Sequence, residues 1–284
     1  MSAKPWFSCL VALAAASTLC VSASASADIA GFGNGSGFTF NNFLANGVIG
    51  ASNGVLTITT AEPSEAASAF YNTQQAIGHF SANFTYQNVT GSGADGITFT
   101  VQNAAAGASA LGGDGYNLGY GGDAGTSNNS NPITSSVAYG IELWPNSANS
   151  TGGFGKDGAI NANGSTAPAF TSTSPVTANS TTDPIDFAIS YNGTTLSVNM
   201  SDSVTGSTYS TSETVDIPTI VGSNLAYVGF TGGTGGASAN QQISNFSYTT
   251  AVPEPATLGL FGIGGVIGIL MLKKRHARGA DVSA

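Results

Sequence analysis

Cysteine is nearly absent: the chain has two, Cys9 and Cys20, and both lie in an N-terminal stretch that reads as removable. The remaining domain is therefore expected to have neither a disulfide framework nor a thiol nucleophile, and its stability must come from core burial. Positive charge is equally scarce. Between Asp28 and Thr250 the only lysine or arginine is Lys156, against Asp and Glu scattered along the whole stretch. Such a surface repels phosphate backbones, which excludes nucleic-acid binding. His79 is the only histidine of that stretch, so Ser-His, Cys-His and multi-histidine zinc chemistry lack their parts, and His79 reads as a strand-entry residue. A glycosidase of sandwich shape needs two carboxylates facing each other across a cleft. No closely spaced acidic trio lies on a strand, Glu142 standing alone on its segment, and the expectation is that the protein is not an enzyme.

The two ends read as targeting signals. Lys4, an apolar run from Phe7 to Val21 and the small residues Ser22 to Ala27 form the three zones of a secretory signal peptide, with cleavage expected after Ala27. At the other end, Val252-Pro253-Glu254-Pro255 precedes an apolar run from Ala256 to Leu272 and then Lys273, Lys274, Arg275 and Arg278. At about 1.5 Å per residue such a helix is at the short end of what spans a bilayer, and the basic cluster belongs on the cytoplasmic side. Residues 1–27, 28–250 and 251–284 are thus expected to be signal peptide, functional domain and membrane tail.

The central region is rich in Gly, Asn, Ser and Thr, a composition shared with disordered linkers, yet aromatic and β-branched residues recur in alternation. Phe80, Ala82, Phe84 and Tyr86 alternate with Ser81, Asn83 and Thr85, the pattern of a strand with one buried face. Similar runs are Val55 to Thr60, Ala69 to Asn72, Ile97 to Gln102, Val137 to Leu143, Ile185 to Tyr191, Thr194 to Met200, Leu225 to Thr231 and Ile243 to Tyr248. Asn192-Gly193 between two of them signals a tight hairpin with positive backbone angles. No segment outside the two ends has a helical period. Many strands at this spacing predict an all-β fold: two large antiparallel sheets packed as a jelly-roll sandwich.

Two resemblances extend this reading. Pro-Glu-Pro, a short apolar helix and a basic end, in that order over about the last 28 residues, resemble the PEP-CTERM sorting tail of exopolysaccharide-producing Gram-negative bacteria. That implies processing by an exosortase-type membrane enzyme, transient inner-membrane anchoring, and a mature protein at the cell surface or in the extracellular matrix. A permanent single-span anchor is the alternative. The second resemblance lies in an ordered series of blocks: Gly54 to Thr59, Ser68 to Asn72, Phe80 to Thr85, Ala94-Asp95-Gly96 to Phe99, the glycine-rich stretch Ala110 to Gly122, Ser136 to Ala138, and Val228 to Gly236. Together they resemble the bacterial branch of the legume-type (L-type) lectins, over nearly all of the central domain. The resemblance implies a concanavalin-like sandwich with a shallow sugar site built from loops at one end.

By that resemblance Asp95, preceded by a cis peptide, accepts hydrogen bonds from sugar hydroxyls, a task suited to a charged acceptor. Gly115, with Gly113 as a neighbour of uncertain register, brings a backbone N–H to the same sugar; Tyr116 and Asn117 stand where relatives usually have glycine. In the block Val137 to Asn146, Trp144 falls on the aromatic that stacks on the sugar ring and Asn146 on the amide that binds both sugar and calcium. Gly235, Gly236 and Ala237 fall beside the ligand. The family's transition-metal ligand is replaced by Gly140, its bridging aspartate by Glu142, and of the later ligands only Asp157 is offered. No transition metal is therefore expected. Two states remain open, calcium held by Glu142, the Trp144 carbonyl, Asn146 and Asp157, or a metal-free loop. Function divides likewise, into a lectin for a saccharide or polysaccharide of a biofilm matrix and a non-binding structural protein on the same scaffold.

Overall fold

The structure is a computed structural model that describes residues 28–43, 49–122, 131–144, 150–159 and 170–250. The expected signal peptide, the expected sorting tail and Asn146 lie outside the described residues. Among the described residues no helix is long and apolar enough to cross a membrane.

The architecture is all-β: two eight-stranded antiparallel sheets face each other in a jelly roll. The first runs Thr208–Thr214, Thr195–Asp202, Ile185–Tyr191, Phe80–Gly91, Ala239–Thr250, Val55–Thr60 and Gly50–Ser52, with Ile29–Ala30 also pairing with Ala239–Thr250. The second runs Thr171–Ser172, Thr151–Lys156, Ser136–Glu142, Gly96–Gln102, Leu225–Gly233, Ala66–Tyr71 and Phe38–Phe43, with Gln75–Ala76 also on Leu225–Gly233. The one α-helix among the described residues is a five-residue turn, Ile217–Val221, which begins on an Asp216 cap and a proline and stops at Gly222.

The alternating residues build the core. Ile185–Tyr191 buries every second side chain, so Phe187 stacks on Phe84 at 4.6 Å, and Phe230 meets both Phe84 and Phe246 edge-on at 4.9 Å. Offset and edge-on pairs suit the charge distribution of aromatic rings and add about 0.5–1.5 kcal/mol beyond their burial. The first sheet thus has one core face and one solvent face.

The second sheet is different: Gly96–Gln102 and Ser136–Glu142 are buried at every position. Their outer face is covered by Ala110, Leu118, Tyr120 and Ile133, which pack with Phe70 and Ala138. Full burial of each such side chain is worth about 1.5–3 kcal/mol. The polar side chains beneath this layer are satisfied by one another: Thr98 Oγ1 lies 2.6 Å from Thr100 Oγ1 and 2.7 Å from Thr231 Oγ1, and Thr231 donates to the Leu118 carbonyl at 2.6 Å. The hydroxyl chain therefore seats the glycine-rich segment on the sheet.

The expected hairpin forms, with Tyr191 opposite Leu196, but its turn is shifted by one residue to Gly193-Thr194, since Asn192 N–H donates to the Thr195 carbonyl at 3.3 Å. Gly193 alone takes a positive φ, +95°, while the Asn192 side-chain oxygen accepts from the Thr194 and Thr195 N–H groups at 3.0 and 2.8 Å. The asparagine closes the turn by its side chain rather than by a left-handed backbone.

Candidate functional site

At one end of the second sheet three connections meet. The first is the entry to Gly96–Gln102, where the Ala94–Asp95 peptide is cis. Asp95 donates its N–H to Gly233 at 3.0 Å and accepts from Leu143 N–H at 2.7 Å, so its backbone is tied to the strands on both sides. Gly96 follows because a Cβ there would come within 1.9 Å of the Ile141 carbonyl oxygen, a contact that only glycine avoids.

The second connection is the glycine-rich segment. A single turn of 3₁₀ helix, Gly115–Asn117, starts at Asp114; Gly115 has φ +59° and donates to the Thr234 carbonyl at 2.9 Å. The third is the stretch after Leu225–Gly233, where Ser64 N–H donates to the Gly235 carbonyl at 3.0 Å. Between them lies a hollow of about 270 Å³ lined by Ser64, Asp95, Asp114, Gly115, Tyr116, Trp144, Gly235 and Gly236.

The floor is acidic. Asp95 is 6% exposed, and its Oδ2 has no hydrogen-bond partner among the described residues; burial, helped by the nearby Asp114 charge, pushes its carboxyl up to about 7. Glu142 is 2% exposed with an unpartnered Oε1, while its Oε2 accepts from Thr151 at 3.3 Å. Burial pushes it up to about 8, the Thr151 hydrogen bond opposing and the Asp95 charge adding. Buried carboxylates without a counter-charge are costly. Lys156, the one lysine or arginine between Asp28 and Thr250, stands at the far end of this sheet, opposite Val137, and is paired with Glu213. The rim is apolar at one point: Trp144 is 46% exposed, which is unusual for so large a side chain.

The structure brings Asp95, Gly115, Trp144, Gly235 and Gly236 together around this hollow, but the Gly115 N–H expected to meet the sugar is already donated to the Thr234 carbonyl. Ala237 sits at its edge, its carbonyl accepting from Gly235 N–H at 3.1 Å. Gly113 is engaged with Gly119 and Gly121 instead, and the Asn117 side chain turns inward to the Asp114 carbonyl. Asp157 requires a correction as a metal ligand alongside Glu142. Its N–H bonds to Ser136, at the opposite end of Ser136–Glu142 from Glu142, so the two are separated by the strand's full length, roughly 20 Å at about 3.4 Å per residue. Its carboxylate instead accepts from Ser135 N–H at 2.7 Å. Three lining residues escaped sequence reasoning as site residues: Ser64, Asp114 and Tyr116. Asp114 had a usable signal, being the one acid in the glycine-rich block Ala110 to Gly122.

The donor set can be tested for the calcium that the fold implies. Among the described residues no group of three or more His, Cys, Asp or Glu is arranged to hold a metal ion. The orphaned oxygens of Asp95 and Glu142 are nonetheless what an oxygen-seeking cation would relieve, so the residues present fit such an ion.

Two packed antiparallel sheets, a covering loop layer and a polar hollow at one sheet end define a jelly-roll sandwich with a candidate ligand site. The chain belongs to the legume lectin domain family, which matches residues 34–258, and a PEP-CTERM protein-sorting motif matches residues 251–275. The motif marks an exported protein with a sorting tail. Among solved structures the fold is similar to the lectin from Bauhinia forficata in complex with GalNAc, at TM-score 0.60 and 19% identity over 79% of this chain and 98% of that one. It is equally similar to the metal-free form of lectin I-B4 from Griffonia simplicifolia, at TM-score 0.60 and 19% identity over 80% and 100%. Arcelin-5, a lectin-like defense protein from Phaseolus vulgaris, follows at TM-score 0.58 and 18% identity over 80% and 97%. Proteins of this family bind carbohydrate without transforming it.

Proposed function

We propose that this protein is an exported lectin that holds a saccharide in the hollow between Asp95, Gly115 and Trp144 and acts in the extracellular polysaccharide or biofilm matrix. The observation that carries this reading is the pairing of a buried, unpartnered carboxylate oxygen on Asp95 with an exposed indole on Trp144 in one cavity. A pyranose has a rim of hydroxyls that such a carboxylate accepts from and a C–H face that such an indole covers. Gly115, Gly235, Gly236 and Ala237 let the sugar approach the main chain.

Calcium, in this reading, is held by Glu142, the Trp144 carbonyl and Asn146, with Asp157 dropped; it supplies positive charge that keeps the buried carboxylates ionised and the Trp144 loop in position. The all-oxygen donor set favours calcium over a transition metal. Domain boundaries at 27 and 250, exosortase-type processing of the tail and attachment outside a Gram-negative cell complete the proposal, supported by the sorting motif at residues 251–275.

A second reading, a structural matrix protein with no sugar site, is favoured by the remoteness of Asp157 from Glu142. A glycan array probed with residues 28–250, with and without a calcium chelator, separates the two. Chelator-sensitive binding supports the lectin; silence on every glycan leaves the scaffold.

A further inference from the structure

A second hollow lies elsewhere, on the solvent face of the first sheet, with a volume of about 500 Å³. Its floor is Ala188, exposed on Ile185–Tyr191 and standing directly between Asn83 on one neighbouring strand and Asn199 on the other. The row continues to Ser247 beyond Asn83 and to Ser210 beyond Asn199. A short methyl between two amides is what makes the trough, and it runs across the strands.

The adjoining row is pre-arranged. Thr85 donates to Asp186 Oδ1 at 2.6 Å and accepts from Asn245 Nδ2 at 3.1 Å. Asn245 reaches this position because the strand Ala239–Thr250 slips register between Ser244 and Ser247, with Asn245 at φ +53°. A bulge of this kind re-aims a side chain, and asparagine tolerates the left-handed region better than most residues.

We propose that this trough is a second carbohydrate surface, for an extended stretch of a neutral polysaccharide lying across the strands. Amides and hydroxyls both donate and accept, matching a chain of hydroxyls. Neighbouring strands lie about 4.8 Å apart, close to the advance of one sugar residue, so each residue of the polymer meets a new strand. Asp186 is the charged group lining the trough, and no cation does so, which disfavours anionic polymers. The surface is on the sheet opposite to the Asp95 hollow, so the inference goes beyond the proposed lectin site and does not rest on it.

Affinity electrophoresis of the full-length protein through gels containing dextran, galactomannan or alginate tests this. Retardation is expected in a neutral gel and not in alginate, retained by Asp95→Ala and lost with Ala188→Ile, a substitution that fills the trough with a strand-favouring side chain. Asp186→Ala should weaken it, with circular dichroism and the melting midpoint reporting that both variants fold. No retardation in either neutral gel, stronger retardation in alginate, or retardation unchanged by Ala188→Ile would overturn the proposal. So would sedimentation showing that Ala188→Ile dissociates a dimer, which would assign the face to a second copy of the chain. Loss with Asp95→Ala alone would return polysaccharide binding to the other sheet.

Discussion

The carbonyl of Asp95 accepts a 2.7 Å hydrogen bond from the N–H of Leu143, the residue directly before Trp144. The acid and the indole come from segments some fifty residues apart, yet one main-chain contact sets their spacing. Because the bond uses backbone atoms, it leaves the Asp95 carboxylate and the Trp144 ring free to face the hollow.

Side-chain removal at this pair should therefore affect binding more than folding. Asp95→Ala is expected to abolish saccharide binding and Trp144→Ala to weaken it, by about 0.5–1.5 kcal/mol for loss of an aromatic contact. Titration calorimetry with an array-selected sugar measures both. Unaltered affinity in the two variants would rule out the site.

Two adjacent glycines give a sharper spatial check. A Cβ on Gly235 would lie 3.0 Å from Asp95 Oδ2, whereas one on Gly236 meets nothing within 4 Å. Gly235→Ala should weaken sugar binding by displacing the carboxylate, while Gly236→Ala should bind as the parent does or be reduced only by direct contact with ligand. The melting point should change little in either, and equal binding losses would argue against Asp95 as the shared contact.

Gly96→Ala tests the scaffold instead. With the Ile141 carbonyl oxygen 1.9 Å from the added carbon, the two central strands must separate, costing about 1–3 kcal/mol or more. A denaturant midpoint within error of the parent would contradict the packing described.

The buried carboxylates impose a pH dependence. Their ordinary values are 3.8 for Asp95 and 4.5 for Glu142, and both are raised in the fold, to about 7 and about 8. The folded state therefore binds more protons than the unfolded one over this interval, so the penalty is absent below the ordinary values, grows with pH, and is complete above the folded ones. Calcium-free protein is expected to lose on the order of several kcal/mol of stability between pH 5 and pH 8, at about 1.4 kcal/mol per unit for each carboxyl that is protonated in the folded state and ionised in the unfolded one. Urea unfolding at the two pH values measures it, and added calcium should flatten the slope.

Calcium ligation itself separates two acids. Glu142→Gln should abolish calcium-dependent stabilisation, whereas Asp157→Ala should leave it intact and cost only the Ser135 contact. Differential scanning with and without calcium decides the matter; the reverse pattern would restore Asp157 as a ligand and displace Glu142.

Some strands with one wet face were legible to the residue, and Gly96–Gln102 and Ser136–Glu142, buried on both faces, were legible to within one. Val55–Thr60 and Ile185–Tyr191 have the bounds that alternation predicts, because burial itself alternates there. Thr208–Thr214 and Phe38–Phe43 escaped: the first is a largely polar strand on an outer edge that buries nothing fully, and the second breaks its alternation at Asn41-Asn42. Thr151–Lys156 is obscured by its glycines, two of which leave room for the Tyr139 and Phe170 rings.

Asp95 and Trp144 were legible as candidate site residues because their blocks resemble the family's in order, while Ser64 and Asp114 join the hollow only through contacts between distant segments. Between Asp28 and Thr250 composition alone argued against chemistry that needs cysteine, paired histidines or clustered positive charge, since those side chains are missing there, and alternation pointed to a domain built of strands. Tertiary structure decided which acids share a site. Distance in the chain says nothing about distance across a sheet: Asp95 and Glu142 are pressed into one another's electric field, whereas Asp157, fifteen positions from Glu142, is carried to the far end of the same strand.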